Sequence, residues 1–325
     1  MTKAIRILAP GGPEALVAMD VEVPAPAAGE VTLRQTAIGV NFIDTYHRSG
    51  LYPLPTLPHG IGVEAAGVVE AIGPGVTGLR IGERVAYAGG APGSYAERRN
   101  VAAERLVPVP DAVADDVAAA AMLQGMTAEY LVRRTFRVEA GMRVLVHAAA
   151  GGVGLLLCQW LSSLGATVLG TVGTEAKAGL AAENGCHHPI VYTRDDFVAK
   201  VRELTGGAGV HVVYDAVGRS TFTGSLACLA RRGMLVSFGN ASGAPDPFDV
   251  LELSRKGSLY LTRPTLFDYI ATREELLESS GEVFGRIANG SLRLAITERR
   301  PLAEAADAHR ALESRGTTGK TLLVP

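Results

Sequence analysis

The sequence predicts an α/β protein in which a doubly wound parallel sheet is joined to a second, mainly β domain. Three observations carry this. The apolar run Val144-Leu145-Val146 passes through His147-Ala148-Ala149-Ala150-Gly151-Gly152-Val153-Gly154 into the helical run Leu155 to Leu161, so strand, glycine turn and helix follow one another. From Gly141 onward, strand-type runs at 143–147, 167–172, 189–192, 210–215, 233–238 and 258–262 alternate with helical patterns, the rhythm of a parallel sheet covered on both faces. Residues 1 to about 120 read instead as short strands punctuated by Gly and Pro.

In chain order, the first domain offers strands at Ala4–Leu8, Val17–Val21, Glu30–Ile38 and Val63–Ile72, the last closed by Gly73-Pro74-Gly75. Gly82–Tyr87 and Gly93–Glu97 continue the series, and this spacing predicts a compact barrel-like arrangement. Asp115 and Asp116 then stand in the first turn of a helix that runs on through Val117–Ala121. After the parallel sheet come a helix over Arg273–Asn289 stopped by Gly290, a strand at Ala295–Arg300, a helix at 301–315 and a terminal strand at Thr321–Val324. The expected organisation is a first domain over 1–124, a nucleotide-binding domain over 125–265 and a return segment over 266–325 that completes the first. The active site is expected in the cleft between the two domains.

The glycine turn points to a phosphate. Gly151 lets backbone approach a pyrophosphate closely, and Gly154 lets the helix pack tightly on its strand. Ala149 stands where the full G-x-G-x-x-G pattern has its first glycine. The next strand ends beside the adenosine ribose, where an NAD site usually offers an acid. Here the tip reads Gly173-Thr174-Glu175-Ala176-Lys177: Gly173 leaves room, Thr174 donates a hydrogen bond and Lys177 brings positive charge, a set that favours a 2′-phosphate and hence NADPH. Glu175 is the contrary residue and is read as pointing outward on the next helix.

A formal net charge of −2 with acids and bases interspersed leaves no basic footprint for nucleic acid as the main partner. No apolar run reaches spanning length, and Met1–Arg6 has no secretory h-region. Cys158, Cys186 and Cys228 are far apart and unpatterned, as in a reduced cytoplasmic protein.

Several segments together resemble the zinc-free quinone oxidoreductase branch of the medium-chain dehydrogenase/reductase superfamily. They are Gly39–Tyr46, Arg48–Pro53, Gly62–Val69, Ala148–Gly154, Thr171–Thr174, Leu261–Pro264 and Glu313–Lys320, and the likeness covers essentially the whole chain. The resemblance implies a GroES-like catalytic domain and a Rossmann-type NADPH-binding domain. It implies an NADPH:quinone oxidoreductase that transfers a hydride to a quinone, and a homodimer. The edge strand at 258–262 offers a surface for that dimer. For the cofactor it implies Gly151, Gly152, Val153 and Gly154 at the pyrophosphate, and Gly173, Lys177 and Tyr192 around the adenosine 2′-phosphate, beside Thr174. Phe238, Gly239 and Asn240 border the nicotinamide ribose; Arg263, Lys320, Asn41 and Tyr46 are further cofactor contacts.

The metal-dependent members of the superfamily hold a catalytic zinc with Cys, His and Cys at positions matching Asn41, Val63 and Gln124. A valine cannot ligate and neutral amides are poor zinc ligands, so no metal is expected. The chemistry is then positioning of a reactive acceptor, with Asn41, Tyr46 and Tyr52 as the catalytic-site residues. Glu64 is expected in a buried ion pair, with an arginine as the partner considered. Two alternatives stand beside this reading: an NADPH-dependent enal/enone reductase, and a non-catalytic NADPH-binding protein of crystallin-like or RNA-binding type.

Overall fold

Apolar alternation in the first hundred residues and continuous apolar runs after residue 140 separate into two kinds of sheet. The computed structural model describes residues 1–325. The first stretch holds β1 (Thr2–Ile7), β2 (Leu16–Val21), β3 (Glu30–Gly39), α1 (Phe42–Ser49), β4 (His59–Gly60), β5 (Glu64–Ile72), β6 (Arg84–Ala88), β7 (Arg98–Ala102), β8 (Val107–Pro108) and α2 (Asp115–Tyr130). The middle stretch alternates β9 (Arg143–Val146), α3 (Gly152–Ser163), β10 (Thr167–Val172), α4 (Glu175–Glu183), β11 (His188–Val191), α5 (Phe197–Leu204), β12 (Val210–Asp215), α6 (Phe222–Cys228), β13 (Leu229–Ser237), α7 (Leu251–Arg255), β14 (Tyr260–Thr262) and α8 (Leu266–Tyr269). The last adds α9 (Arg273–Ala288), β15 (Ile296–Pro301), α10 (Ala305–Glu313) and β16 (Lys320–Val324).

Two units result, one of Met1–Met126 with Ile270–Gly290 and Leu294–Pro325, the other of Thr127–Tyr269 with Ser291–Arg293. In the first unit, a sheet of order β15-β16-β3-β5-β6-β8, with β7 also on β3, lies beside a small sheet of order β2-β1-β4. β3 places Val31, Leu33 and Ile38 in the core with Val69, Tyr87, Leu106 and Leu323. The C-terminal β16 seals the end of β3, pairing Leu322 with Gly39.

The second unit is one sheet of order β11-β10-β9-β12-β13-β14, parallel throughout. Val144, Leu145 and Val146 are all fully buried, as expected for a central strand covered on both faces. β14 ends the order with Tyr260 exposed, whereas Leu259 turns inward and donates its N–H to the Leu253 carbonyl at 2.9 Å. The ladder of this strand therefore begins at Tyr260, two residues later than the 258–262 run suggests.

Gly93–Glu97, expected as a strand, forms only an isolated bridge between Ala96 and Ala4. The buried Gln35 amide donates to the carbonyls of Ser94 and Ala96, so a side chain takes acceptors that a ladder would need.

The glycine turn shows why Gly154 is small. A Cβ there would lie 2.2 Å from the Ala148 carbonyl oxygen and 2.9 Å from the Ala149 Cα. Gly154→Ala is expected to cost about 1–3 kcal/mol through overpacking against backbone; a guanidinium titration with an unchanged midpoint would show that the turn has slack.

Candidate active site and cofactor cradle

The second unit carries the glycine turn expected to hold the cofactor. Gly151 caps α3 with no side-chain hydrogen bond, so the helix presents bare N–H groups to an anion. Ala148 takes the left-handed conformation at φ 53°, just before the position where Ala149 replaces a glycine, and Gly151 N–H closes the turn on its carbonyl at 2.9 Å. Beneath the turn, a buried chain runs from Thr171 Oγ1 to His147 Nδ1 at 2.8 Å, from His147 Nε2 to Ser225 Oγ at 2.9 Å, and from Ser225 to Asp215 Oδ2 at 2.9 Å. Burial pushes the His147 imidazole toward its neutral form. Asp215 Oδ1 accepts the N–H groups of Val217 and Gly218, so the same chain shapes the loop after β12. No sequence motif pointed to it.

At the tip of β10, Gly173 lies against Tyr192: a Cβ at Gly173 would meet the Tyr192 hydroxyl at 3.0 Å. Thr174 caps α4, its hydroxyl accepting the Lys177 N–H at 3.3 Å. Lys177 is half-buried, and burial lowers the pKa of its ammonium. Glu175 is exposed and paired with Arg194, which also bonds Asp195 Oδ2 at 2.9 Å. The contrary acid is thus engaged by a cation two residues after Tyr192, a residue that sequence reasoning did not single out. Phe238 and Gly239 leave β13 with their N–H groups on the Asp215 carbonyl, at 2.8 and 3.3 Å. Asn240 accepts the Gly243 N–H at 2.9 Å, and Arg263 donates to the Pro264 carbonyl at 3.1 Å.

The first unit gathers a different set. Lys320, on β16, is 1% exposed, with its ammonium on Glu64 Oε2 and 2.8 Å from Asn41 Oδ1. Glu64 is fully buried and also accepts Asn41 Nδ2 at 2.7 Å and Leu123 N–H at 2.6 Å. Its partner is therefore a lysine from the far end of the chain, not an arginine. Gln124 Nε2 reaches Asn41 Oδ1 at 3.5 Å, and Val63 is buried. Asn41 Oδ1 is already engaged by the Lys320 ammonium and the Val63 side chain has no donor atom, which leaves positions 41, 63 and 124 a poor ligand set for a metal.

Asn41 also caps α1 in a reciprocal box with Asp44, whose Oδ2 takes the Asn41 N–H at 2.8 Å. The helix carries Tyr46, whose ring meets that of Tyr52 edge to face at 5.2 Å between centroids, while the Tyr52 N–H bonds the Tyr46 carbonyl at 3.0 Å. Tyr46, Tyr52 and Asn41 therefore lie on one short piece of rigid structure. His47 is held neutral by burial and by nearby His59, its pKa lowered to about 4. His59 Nδ1 contacts the carbonyl of its neighbour Gly60 at 2.7 Å.

A β-rich unit completed by a chain return, interrupted in sequence by a parallel nucleotide-binding sheet, defines the medium-chain dehydrogenase/reductase class. Residues 27–111 match the alcohol dehydrogenase GroES-like domain, and residues 152–278 match the zinc-binding dehydrogenase domain family. The chain belongs to the quinone oxidoreductase family of that superfamily. It is 50% identical to the quinone oxidoreductase of Pseudomonas aeruginosa over the full length of both, and 48% identical to a 2-haloacrylate reductase of Burkholderia over 100% of this chain and 99% of that one. The crystal structure of Escherichia coli quinone oxidoreductase complexed with NADPH superposes with a TM-score of 0.98 at 48% identity, covering 99% of this chain and all of that one.

Breaking the buried pair tests its weight. Lys320→Met leaves Glu64 as an uncompensated buried charge and is expected to cost about 3–5 kcal/mol, while Glu64→Gln combined with Lys320→Met recovers part of that loss. Chemical denaturation of the three proteins reads both effects; equal stability of Lys320→Met and the parent would show that the pair carries little.

Proposed function

We propose that the chain is an NADPH-dependent quinone reductase that works without a metal. The observation that carries the cofactor choice is the β10 tip, where Gly173 lies against Tyr192, Lys177 stands in the first turn of α4 and Glu175 is drawn to Arg194. NADPH, when bound, supplies the hydride. Gly151, Gly152, Val153 and Gly154 hold the pyrophosphate; Lys177, Thr174 and Tyr192 hold the 2′-phosphate; and Phe238, Gly239, Asn240 and Arg263 border the nicotinamide ribose. Asn41, Tyr46 and Lys320 take the nicotinamide end, with Lys320 acting through the Asn41 amide that it fixes. Tyr46 and Tyr52 hold the flat acceptor with ring faces and hydroxyls.

A second reading is reduction of an activated carbon–carbon double bond conjugated to a carbonyl, favoured by the identity to the 2-haloacrylate reductase. NADPH oxidation against a panel of quinones, enones and haloacrylates separates the two. Quinones are expected to turn over fastest, in chelator-dialysed enzyme as in untreated enzyme, and a panel turning over only enones would overturn the choice. Lys177→Ala is expected to raise the NADPH Michaelis constant by a factor corresponding to about 1.5–3 kcal/mol, the strength of a hydrogen bond to a charged group, and to leave that of NADH nearly unchanged. Equal effects on both cofactors would remove the 2′-phosphate role.

The chain is further proposed to form a homodimer through β14, the edge strand whose exposed Tyr260 leaves one side of the ladder open. Sedimentation of wild type and Tyr260→Lys at micromolar concentration is expected to show a dimer weakened by the charge; a monomeric wild type would refute it.

A further inference from the structure

A chain of buried polar groups in the first unit has no place in hydride transfer as described so far. Glu313 on α10 holds Arg48 through Oε1 at 2.6 Å and Oε2 at 3.0 Å. Arg48 Nη1 lies 3.1 Å from His309 Nδ1, His309 Nε2 lies 3.0 Å from the Tyr95 hydroxyl, and that hydroxyl lies 2.9 Å from Asp44 Oδ2. Arg48, His309, Tyr95 and Asp44 are each buried.

Chemistry gives this chain a single direction. A guanidinium only donates, so His309 Nδ1 accepts and the ring proton sits on Nε2. Nε2–H then donates to the Tyr95 oxygen, which leaves the Tyr95 O–H to donate to Asp44. The imidazole is held in its neutral form, its pKa lowered to about 3 by burial first and by Arg48 second. Asp44 Oδ2 thus collects two donors, the Asn41 N–H and the Tyr95 O–H, while Oδ1 is buried without a hydrogen-bond partner.

We infer that Tyr95 and His309 are positioning residues for the active-site helix: through Asp44 they hold the cap at Asn41 and with it the helix that carries Tyr46. The inference deepens the quinone-reductase reading and rests on it for its kinetic form. The charged and titratable groups that face Asp44 are Tyr95 from the segment after β6, Lys320 from β16 and Glu64 from β5; His309 and Arg48 act on it through Tyr95. Burial is the largest influence on Asp44 and raises its pKa from 3.8 to about 7; the bonds from Asn41 and Tyr95 and the charge of Lys320 oppose that rise, and Glu64 adds to it. An ionised Asp44 accepts strongly from both donors, and a protonated one accepts weakly, so the cap loosens on the acid side.

The test is the pH dependence of the quinone Michaelis constant at saturating NADPH. In the wild type the constant is expected to rise as pH falls through neutrality, with turnover changing less. Asp44→Asn should abolish that limb. Tyr95→Phe should move it to higher pH by about one to two units, the shift that losing one hydrogen bond to a carboxylate brings. His309→Leu should move it the same way by less, and His309→Gln, which retains an N–H donor, should bring it back toward the wild-type position. A limb that survives Asp44→Asn, or one that stays in place in both Tyr95→Phe and His309→Leu, would overturn the inference.

A substrate-free measurement keeps it separate from the quinone reading. Because the folded-state pKa of Asp44 lies above its unfolded value, its contribution to stability is full below the unfolded value and is lost as pH rises through the folded value. The melting temperature of the wild type should fall relative to Asp44→Asn between pH 4 and 8, and Tyr95→Phe should carry that fall to higher pH. Absence of quinone turnover with this pattern intact would sink the functional reading alone; turnover with no such pattern in stability or kinetics would sink this one.

Discussion

The buried contact of Lys320 with Glu64 and Asn41 ties together three distant parts of the chain. Two opposite charges out of water are stable only when each finds further polar partners. Glu64 has the Asn41 amide and the Leu123 N–H, and Lys320 has Asn41 Oδ1. Glu64 opens β5, Asn41 caps α1, Leu123 lies in α2 and Lys320 opens β16, so satisfying one pair sets four elements at once. Gly39 has no side chain because the pair occupies that space: a Cβ there would lie 2.1 Å from Glu64 Oε2 and 2.8 Å from Lys320 Nζ. Tyr46 and Tyr52 inherit their places from this arrangement.

The second unit solves a different problem, with little charge. Its cradle is made of backbone: an uncapped helix end, a left-handed Ala148 and glycines where a methyl group would collide. Such a surface binds a phosphate by direction as much as by charge. Side-chain charge is confined to the rim, where Arg194 draws Glu175 aside.

What could be read from the residues follows from how local the cause is. The strand–turn–helix at 144–161 and the alternation of the parallel sheet were legible because period, glycine spacing and chain direction are properties of neighbours. The outward turn of Glu175 was legible as an exposed helix position, but its pairing with Arg194, 19 residues on, was not. Lys320 reads either as a residue that closes over the nicotinamide end or as a solvated tail lysine; nothing local says that its ammonium meets a glutamate 256 positions earlier. The Asn41–Asp44 spacing carries a local capping-box signal for the start of α1. Tyr95 and His309 had no signal at all, since each belongs to an irregular or amphipathic stretch and acquires its partner only in the fold. Gly93–Glu97 departs from its strand-like pattern for a related reason: Gln35, 59 residues away, takes the Ser94 carbonyl.

The return of the chain has a consequence for the order of synthesis. β3 receives its pairing at Gly39 from Leu322, and the Val40 N–H is satisfied by the Thr321 carbonyl at 3.1 Å. Both partners leave the ribosome only after the entire nucleotide-binding sheet. At about 5–20 residues per second, the first unit waits on the order of ten seconds or more with the end of β3 unpaired and Glu64 without its counter-charge. The nucleotide-binding unit, contiguous apart from Ser291–Arg293, has nearly all of its residues available during that interval. Nascent chains arrested before β16 would therefore be the species most exposed to strand-edge association and most dependent on chaperones.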